Sequence, residues 1–383
     1  MATIALVGGE VATPSGELRR GTVVVRGSTI ATINPEGGCP PEAEVIDARG
    51  RVVSPGFIDV HIHGAAGHDI MDATPEALAA ISGFAAQHGV TGFLPTTVTA
   101  GLEATWAAIG AVDELQRAGA PGAAALGVHL EGPYISGERM GAQNPAHVRG
   151  AEPSEYVRLF ELGNIRLISL APEMPGIERL VRFAVARGAA VAVGHSSATY
   201  DQVLAAVGWG LSQATHTYNA MREMHHREPG ATGAVLTCDA IYAQVIVDLV
   251  HVHPAMVKLL VRAKGPDRAV LVTDAMRAAG MPDGRYDLGG QETIVKGGEA
   301  RLPAGNLAGS TLTMERAVRN VMGAAELTLP QALRLATRNP AASIGLGGRK
   351  GQLAPGYDAD IVLLDADLRV ALTMVGGRVV YRA

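Results

Sequence analysis

The sequence predicts an α/β protein: a closed (β/α)8 TIM-type barrel with a small β-sandwich domain built from both chain ends. Three observations predict it. Across the middle of the chain, eight apolar strand-like runs alternate with amphipathic helical stretches, the pattern of parallel β/α units. Both ends instead read as short strands separated by glycine turns. And five of the eight middle strands run into His, Glu or Asp, on the strand ends where barrels build their active sites. A chain of 383 residues is long enough for one large domain with an accessory piece.

Composition narrows the class. With 48% hydrophobic and 18% charged residues the chain is globular, and with only 4% aromatics its core must be built from Ala, Val, Leu and Ile. A net charge of −5 argues against a nucleic-acid partner or a polybasic membrane anchor, so an anionic ligand needs a locally positive pocket. Cys39 and Cys238 form neither a Cys-x-x-Cys motif nor a disulfide framework, which fits a reducing compartment. No basic segment precedes an apolar run near Met1, and no apolar stretch reaches membrane-span length. A soluble cytoplasmic protein is expected.

At the N-terminal end, strands are expected at 4–7, 21–26, 29–33 and 45–48, with turns at Gly8-Gly9, Gly27-Ser28 and Gly37-Gly38. This piece is too small to bury much alone. Strand-like runs at 359–364, 370–375 and 378–381 supply a mate, so 1–54 and 345–383 are expected to form the small domain and 55–344 the barrel. The barrel strands are expected at 57–62, 92–96, 125–130, 165–170, 190–194, 213–216, 243–248 and 269–273. Among the helices, one opens with Thr74 as N-cap and Pro75 in its first turn and closes at Gly89. Another carries Ile177, Leu180, Val181, Ala184 and Val185 on one face and stops at Gly188. A third spans 254–264. A doubly wound open sheet is the alternative, but no Gly-x-Gly-x-x-Gly turn follows the early strands.

The strand ends carry the chemistry. Side chains alternate along a strand, so His61 and His63 point the same way, just before Gly64. Alone, such a pair is more often two polar residues at a strand-to-loop junction. Here strand three also ends in Glu131, strand five in His195, strand six in His216 and strand eight in Asp274, a set that packing does not explain. Imidazoles and carboxylates together suit Zn2+, Fe2+, Mn2+ or a similar divalent ion with open positions for water. Such an ion acidifies water and polarises a carbonyl, and a free carboxylate beside it can move the proton, which is hydrolysis of a C–N bond. No Gly-x-Ser-x-Gly or other nucleophile motif offers another route.

Several motifs are shared with a known family: Pro55-Gly56-Phe57-Ile58-Asp59-Val60-His61-Ile62-His63, Gly127-Val128-His129-Leu130-Glu131-Gly132-Pro133, Gly194-His195-Ser196, Thr215-His216-Thr217-Tyr218-Asn219-Ala220-Met221 and Val272-Thr273-Asp274-Ala275. With the tail 351–360 they cover nearly the whole chain, and the chain resembles the amidohydrolase superfamily. The resemblance implies hydrolysis of N-acetylglucosamine 6-phosphate to glucosamine 6-phosphate and acetate. It implies Glu131, His195 and His216 as metal ligands, with His61 and His63 holding a second ion bridged by Glu131. Zn2+ comes first among the candidate ions, Fe2+, Mn2+ or Co2+ are alternatives, and one or two ions per subunit both remain open, because family members differ at the second site. Asp274 matches the family's catalytic acid/base. His129, two residues before Glu131, should face inward in support.

For the substrate, the resemblance implies that Asn219, Ala220, Arg227 and His251 bind the sugar phosphate, in a homodimer where Arg227 reaches the neighbouring subunit's site. From the residues alone, Arg227 reads as a surface ion-pair partner of Glu228. Leu307, Ala308 and Gly309 should line the sugar pocket through backbone, and Ala142 should touch substrate likewise. Gln143 stands where many relatives carry a His that polarises the acetyl carbonyl; an amide donates a hydrogen bond but is not cationic. Either a second ion polarises instead, or the preference among acyl sugars differs. His253 is expected only to precede Pro254 at a helix start, and His68, His88, His147, His225 and His226 to be surface polar residues. Two other readings stand beside this one: an amidohydrolase for another N-acyl amino sugar, such as N-acetylgalactosamine 6-phosphate, and a non-catalytic sugar-phosphate binder, disfavoured because no ligand is missing.

Overall fold

The computed structural model describes residues 2–34 and 38–383. Eight parallel strands run in chain order: β1 (Phe57–Ile62), β2 (Val90–Thr97), β3 (Val128–Glu131), β4 (Ile165–Leu170), β5 (Ala190–Val193), β6 (Gln213–Ala214), β7 (Tyr242–Ile246) and β8 (Ala269–Val272). Each is hydrogen-bonded to the next. Every residue of β1 and β2 is buried, as expected of strands covered on both faces. The circle closes between β8 and β1 through a side chain. Buried Asp59 of β1 accepts hydrogen bonds from the backbone N–H of Thr273 (3.3 Å) and from its hydroxyl (2.5 Å). Backbone bonds continue the seam, from Asp274 N–H to the His61 carbonyl (2.9 Å) and from His63 N–H to the Ala275 carbonyl (2.8 Å). Burial pushes the Asp59 carboxyl up to about 6, against the pull of its Thr273 and His61 donors.

The helices follow their local signals. α1 (Pro75–Gln87) starts where the Thr74 hydroxyl accepts from Ala77 N–H. α2 (Ile177–Ala186) buries Ile177, Leu180, Val181 and Ala184. α3 (Pro254–Lys264) begins at His253, whose ring caps Ala255 N–H, the expected modest role. Four barrel strands end one or two residues earlier than expected, β5 at Val193, β6 at Ala214, β7 at Ile246 and β8 at Val272. Beyond β5, β6 and β8, His195, His216 and Asp274 take left-handed backbone (φ +48°, +30° and +49°) that a ladder does not accommodate. None of the helices described is long and apolar enough to cross a membrane.

The chain ends meet in one eight-stranded sheet. Strands Thr3–Ala12, Leu18–Arg26, Thr29–Asn34, Glu44–Asp47 and Val52–Pro55 join Ile361–Leu364, Val370–Val375 and Arg378–Arg382. Its core includes Leu6, Val23, Val25, Ile361, Leu363 and Met374. The turn expected at Gly8-Gly9 is instead a bulge inside the first strand. The register slips between Val7 and Gly9, and Gly8 supplies the positive φ (+79°). Of the turn expected at Gly37-Gly38, Gly37 lies outside the described residues. A further three-stranded sheet, Gly284–Leu288, Gln291–Lys296 and Glu299–Arg301, follows β8 and was not anticipated; its alternation is short and its charged residues face outward.

Lys350 fastens the tail where it re-enters the small sheet. Its ammonium lies 2.6 Å from Asp360 and 2.9 Å from Asp358, and all three side chains are largely buried. Burial raises the Asp358 carboxyl, but Lys350 and Arg349 outweigh it and hold it below the ordinary range; Lys350 is held above its own against burial. A depressed carboxyl contributes stability that is fully present above its unfolded value and is lost as pH falls through the folded one. Lys350→Met should therefore cost about 3 kcal/mol near neutrality, because it leaves buried Asp360 without its cation and Asp358 with Arg349 alone. In denaturant melts across pH, the deficit should shrink below about pH 4, where the carboxylates of the unfolded chain protonate.

Candidate active site

Six ligand-type side chains converge at the C-terminal mouth of the barrel, all buried. They form two groups of three, His61, His63 and Asp274, and Glu131, His195 and His216. Glu131 is common to both. Its Oε1 lies 3.1 Å from His216 Nε2, 3.3 Å from His195 Nε2 and 3.4 Å from His61 Nε2, and its Oε2 lies 3.3 Å from His63 Nε2. Asp274 Oδ1 sits 3.3 Å from His61 Nε2 and 3.2 Å from His63 Nε2. Burial opposes charge on Glu131 and Asp274, yet the facing imidazoles outweigh it and hold both carboxyls below their ordinary range.

The far side of each imidazole decides what the near side offers. His61 Nδ1 faces Gln244 Oε1 (3.3 Å), His63 Nδ1 the Thr96 carbonyl (3.2 Å) and His195 Nδ1 the Arg139 carbonyl (3.0 Å). Oxygen acceptors keep a proton on Nδ1, so Nε2 is the nitrogen that can give up its proton and offer a lone pair to an ion. The Nε2 atoms face one another, at 3.2 Å for His61 and His63 and 3.1 Å for His195 and His216, with carboxylates between them. Nitrogens packed this closely repel unless protons or a metal cation sit among them. The donor set, its tautomers and its supporting acceptors fit one or two divalent ions. His216 differs, in that its buried Nδ1 has no hydrogen-bond partner among the described residues.

His129 is a supporting group, as expected, and belongs to neither cluster. Its Nε2 is 2.7 Å from the Ser169 hydroxyl, its Nδ1 3.3 Å from Thr96 Oγ1, and its ring stands edge-on to His61 at 4.7 Å. Burial first, then the neighbouring imidazoles, hold it well below the ordinary histidine range, hence neutral.

Above the ligands lies a cavity of about 380 Å³. Of the residues expected to meet substrate, Ala142, Gln143, Asn219, Ala220, His251, Leu307 and Gly309 line it. Ala308 is fully buried behind the wall, against Met276 and Leu288. Arg227 is exposed and lies outside the cavity of its own chain, its Nη1 2.6 Å from His226 Nε2. His251 sits in the loop beyond β7, not at the strand end, paired with Asp248 at 2.7 Å. Gln143 is committed: its Nε2 donates to Glu131 Oε2 (2.7 Å), and its Oε1 accepts from Thr99 N–H (2.6 Å). Its amide orients the shared carboxylate. The unanticipated three-stranded sheet roofs the cavity. Leu288 lines it, Gln291 donates to the Ala142 carbonyl, and nearby Asn306 donates to the Gly141 carbonyl at 3.4 Å.

Sequence reading missed Gln244, Thr96 and the Arg139 carbonyl as partners of the ligands. Gln244 was findable, being a buried amide within the apolar run Tyr242–Ile246. The carbonyls leave no trace in residue identity.

A family model described as "Amidohydrolase family" matches residues 52–380. An N-acetylglucosamine-6-phosphate deacetylase from Lysinibacillus sphaericus is 41% identical over 345 residues, covering 87% of each chain. An N-acetylgalactosamine-6-phosphate deacetylase from Escherichia coli O157:H7 is 40% identical over 341 residues, covering 88% of this chain and 90% of that one. The solved structure of a mutant Mycobacterium smegmatis N-acetyl-D-glucosamine-6-phosphate deacetylase in complex with N-acetyl-D-glucosamine-6-phosphate is 35% identical. It superposes with a TM-score of 0.92, over 99% of this chain and all of that one.

Replacing Gln143 with Leu removes the donor that orients Glu131. Metal affinity, measured against a competing chelator, should weaken by about 10- to 100-fold. The melting temperature of the metal-free protein should fall as well, because the buried Thr99 N–H loses its acceptor.

Proposed function

Because the chain belongs to the amidohydrolase family, we propose that it is a metal-dependent deacetylase converting N-acetylglucosamine 6-phosphate to glucosamine 6-phosphate and acetate, in the cytoplasmic breakdown of amino sugars. The observation that carries this reading is Glu131 shared among four imidazoles with Asp274 beside them, open to a cavity of sugar size. Sequence relatives and the superposed complex with the acetylated sugar phosphate support the substrate class.

Glu131, His195 and His216 would hold one divalent ion, and His61, His63 and Asp274 offer a place for a second, with Glu131 shared. Zn2+ is the first choice for such a nitrogen and oxygen donor set. When bound, the ion acidifies water and polarises the acetyl carbonyl. Asp274 takes the proton of the attacking water and later delivers it to the departing amine. Its carboxyl, held ionised by the imidazoles, is in the right state to begin as the base. Gln143 keeps Glu131 in place and has no spare cationic charge for the carbonyl. His129, neutral and walled in by Ser169 and Thr96, keeps the His61 ring upright.

Asn219 and Ala220 line the end of the cavity, where Ala220 takes left-handed backbone (φ +50°) suited to turning N–H groups toward an anion. His251, held by Asp248, faces the same space. Arg227, free of its own cavity, suits a homodimer in which it serves the neighbouring subunit; exposed Met224 and Leu249 in the flanking loops would be covered by such a contact. A second reading, deacetylation of N-acetylgalactosamine 6-phosphate, is favoured by the Escherichia coli relative, whose substrate differs at one ring carbon.

Acetate release from the two 6-phosphates and their unphosphorylated forms decides between them, and no release from any would overturn the reaction. Asp274→Asn should keep the ion held by Glu131, His195 and His216 while turnover falls by about 10²- to 10⁴-fold.

A further inference from the structure

We propose that Arg139 recognises the substrate's phosphate, and that its ion pair with Glu223 is the resting state of that site. The inference rests on the sugar-phosphate reading above. The cavity is lined by Glu131, Glu138 and Asp274, so a dianionic phosphate enters against three carboxylates. The imidazoles His63, His195 and His216 are turned toward the ligand centre, and the charge of His251, the remaining lining imidazole, is already matched by Asp248 at 2.7 Å. Arg139 is the only Arg or Lys among the lining residues described, and Arg227 of the same chain lies outside.

The guanidinium is already in the geometry that a phosphate takes. Nη1 and Nη2 lie 2.7 and 2.8 Å from the two Glu223 oxygens, the fork-on-fork arrangement that a phosphate's oxygens reproduce. Glu223 is an easily displaced partner: its side chain is 74% exposed and returns to water at little cost, and exposed ion pairs hold weakly. Glu138, the nearest acid in sequence, is engaged elsewhere, accepting from the Ser197 hydroxyl at 2.9 Å. The bridge joins the loop after β3 to the loop after β6, so exchanging Glu223 for phosphate opens one side of the mouth as it fills.

The backbone of Arg139 ties this cation to the reacting centre. Its carbonyl accepts from His195 Nδ1 (3.0 Å), and Ser136 N–H donates to the His195 carbonyl (2.8 Å). One short loop thus fixes a metal ligand with its main chain and offers the phosphate a side chain. The distance between phosphate and scissile amide is set within that loop. Substituting the side chain spares both backbone bonds, so the effect should fall on substrate selection and not on the ligand centre.

The test compares kcat/KM for N-acetylglucosamine 6-phosphate and N-acetylglucosamine in wild type, Arg139→Gln and Glu223→Gln, with metal content as control. In Arg139→Gln the preference for the phosphorylated sugar should fall about 10- to 100-fold, through KM, with metal content unchanged. Glu223→Gln, which frees the guanidinium, should lower KM for the phosphorylated sugar. An equal loss on both sugars, or none, in Arg139→Gln would overturn the role. Calorimetry with glucosamine 6-phosphate reads the same contact without turnover. Wild type that binds it tightly, loses it in Arg139→Gln and releases no acetate would sink the reaction and leave Arg139 standing.

Discussion

One buried carboxylate organises this protein. Glu131 stands within 3.4 Å of four imidazole nitrogens, and each nitrogen is turned toward it by an acceptor, or by packing, on the far side of its ring. Such a cluster of nitrogens and carboxylates is intolerable in an apolar core without protons or a metal cation, and it exists only because residues 61 to 274 come round to one point. The architecture of the barrel follows from that requirement. The strands supply rigid direction: His61 and Glu131 lie at the ends of β1 and β3, and His63, His195, His216 and Asp274 follow one or two residues beyond β1, β5, β6 and β8.

The supports are as telling as the ligands. Gln143, Gln244, Thr96 and the Arg139 carbonyl each hold one member of the centre, and they come from β2, β7 and the loop after β3. His129, neutral and bonded to Ser169, packs against the edge of the centre without adding charge to it. Asp59 does comparable work for the barrel itself, joining the first strand to the last through Thr273 and bringing Asp274 alongside His61.

Much of this was legible in the residues. Alternating apolar runs gave the barrel, because a parallel strand covered on both faces has almost no choice of composition. The clustered imidazoles and carboxylates were readable because charged and imidazole groups at strand ends contradict packing. Less legible were features that depend on conformation: the bulge at Gly8, the left-handed turns at His195, His216 and Asp274, and carbonyl partners that any residue type could provide. The three-stranded insertion of residues 284–301 was missed because its strands are short and half-exposed, so that its alternation resembles that of a surface loop. That Arg227 lies outside its own cavity was anticipated only through the family resemblance, which had it serve a neighbouring subunit; its own residues read as a surface ion pair with Glu228.

That insertion has a consequence for how such enzymes diversify. It touches the loop over the centre mainly through Gln291 and through neighbouring Asn306, both bonded to main-chain carbonyls, and it contributes none of the ligands. Contacts to carbonyls survive almost any change in the side chains around them. The ceiling of the chamber is thus free to drift in shape while the hearth beneath it stays as it is, and a lineage could acquire a new sugar without relearning how to break an amide.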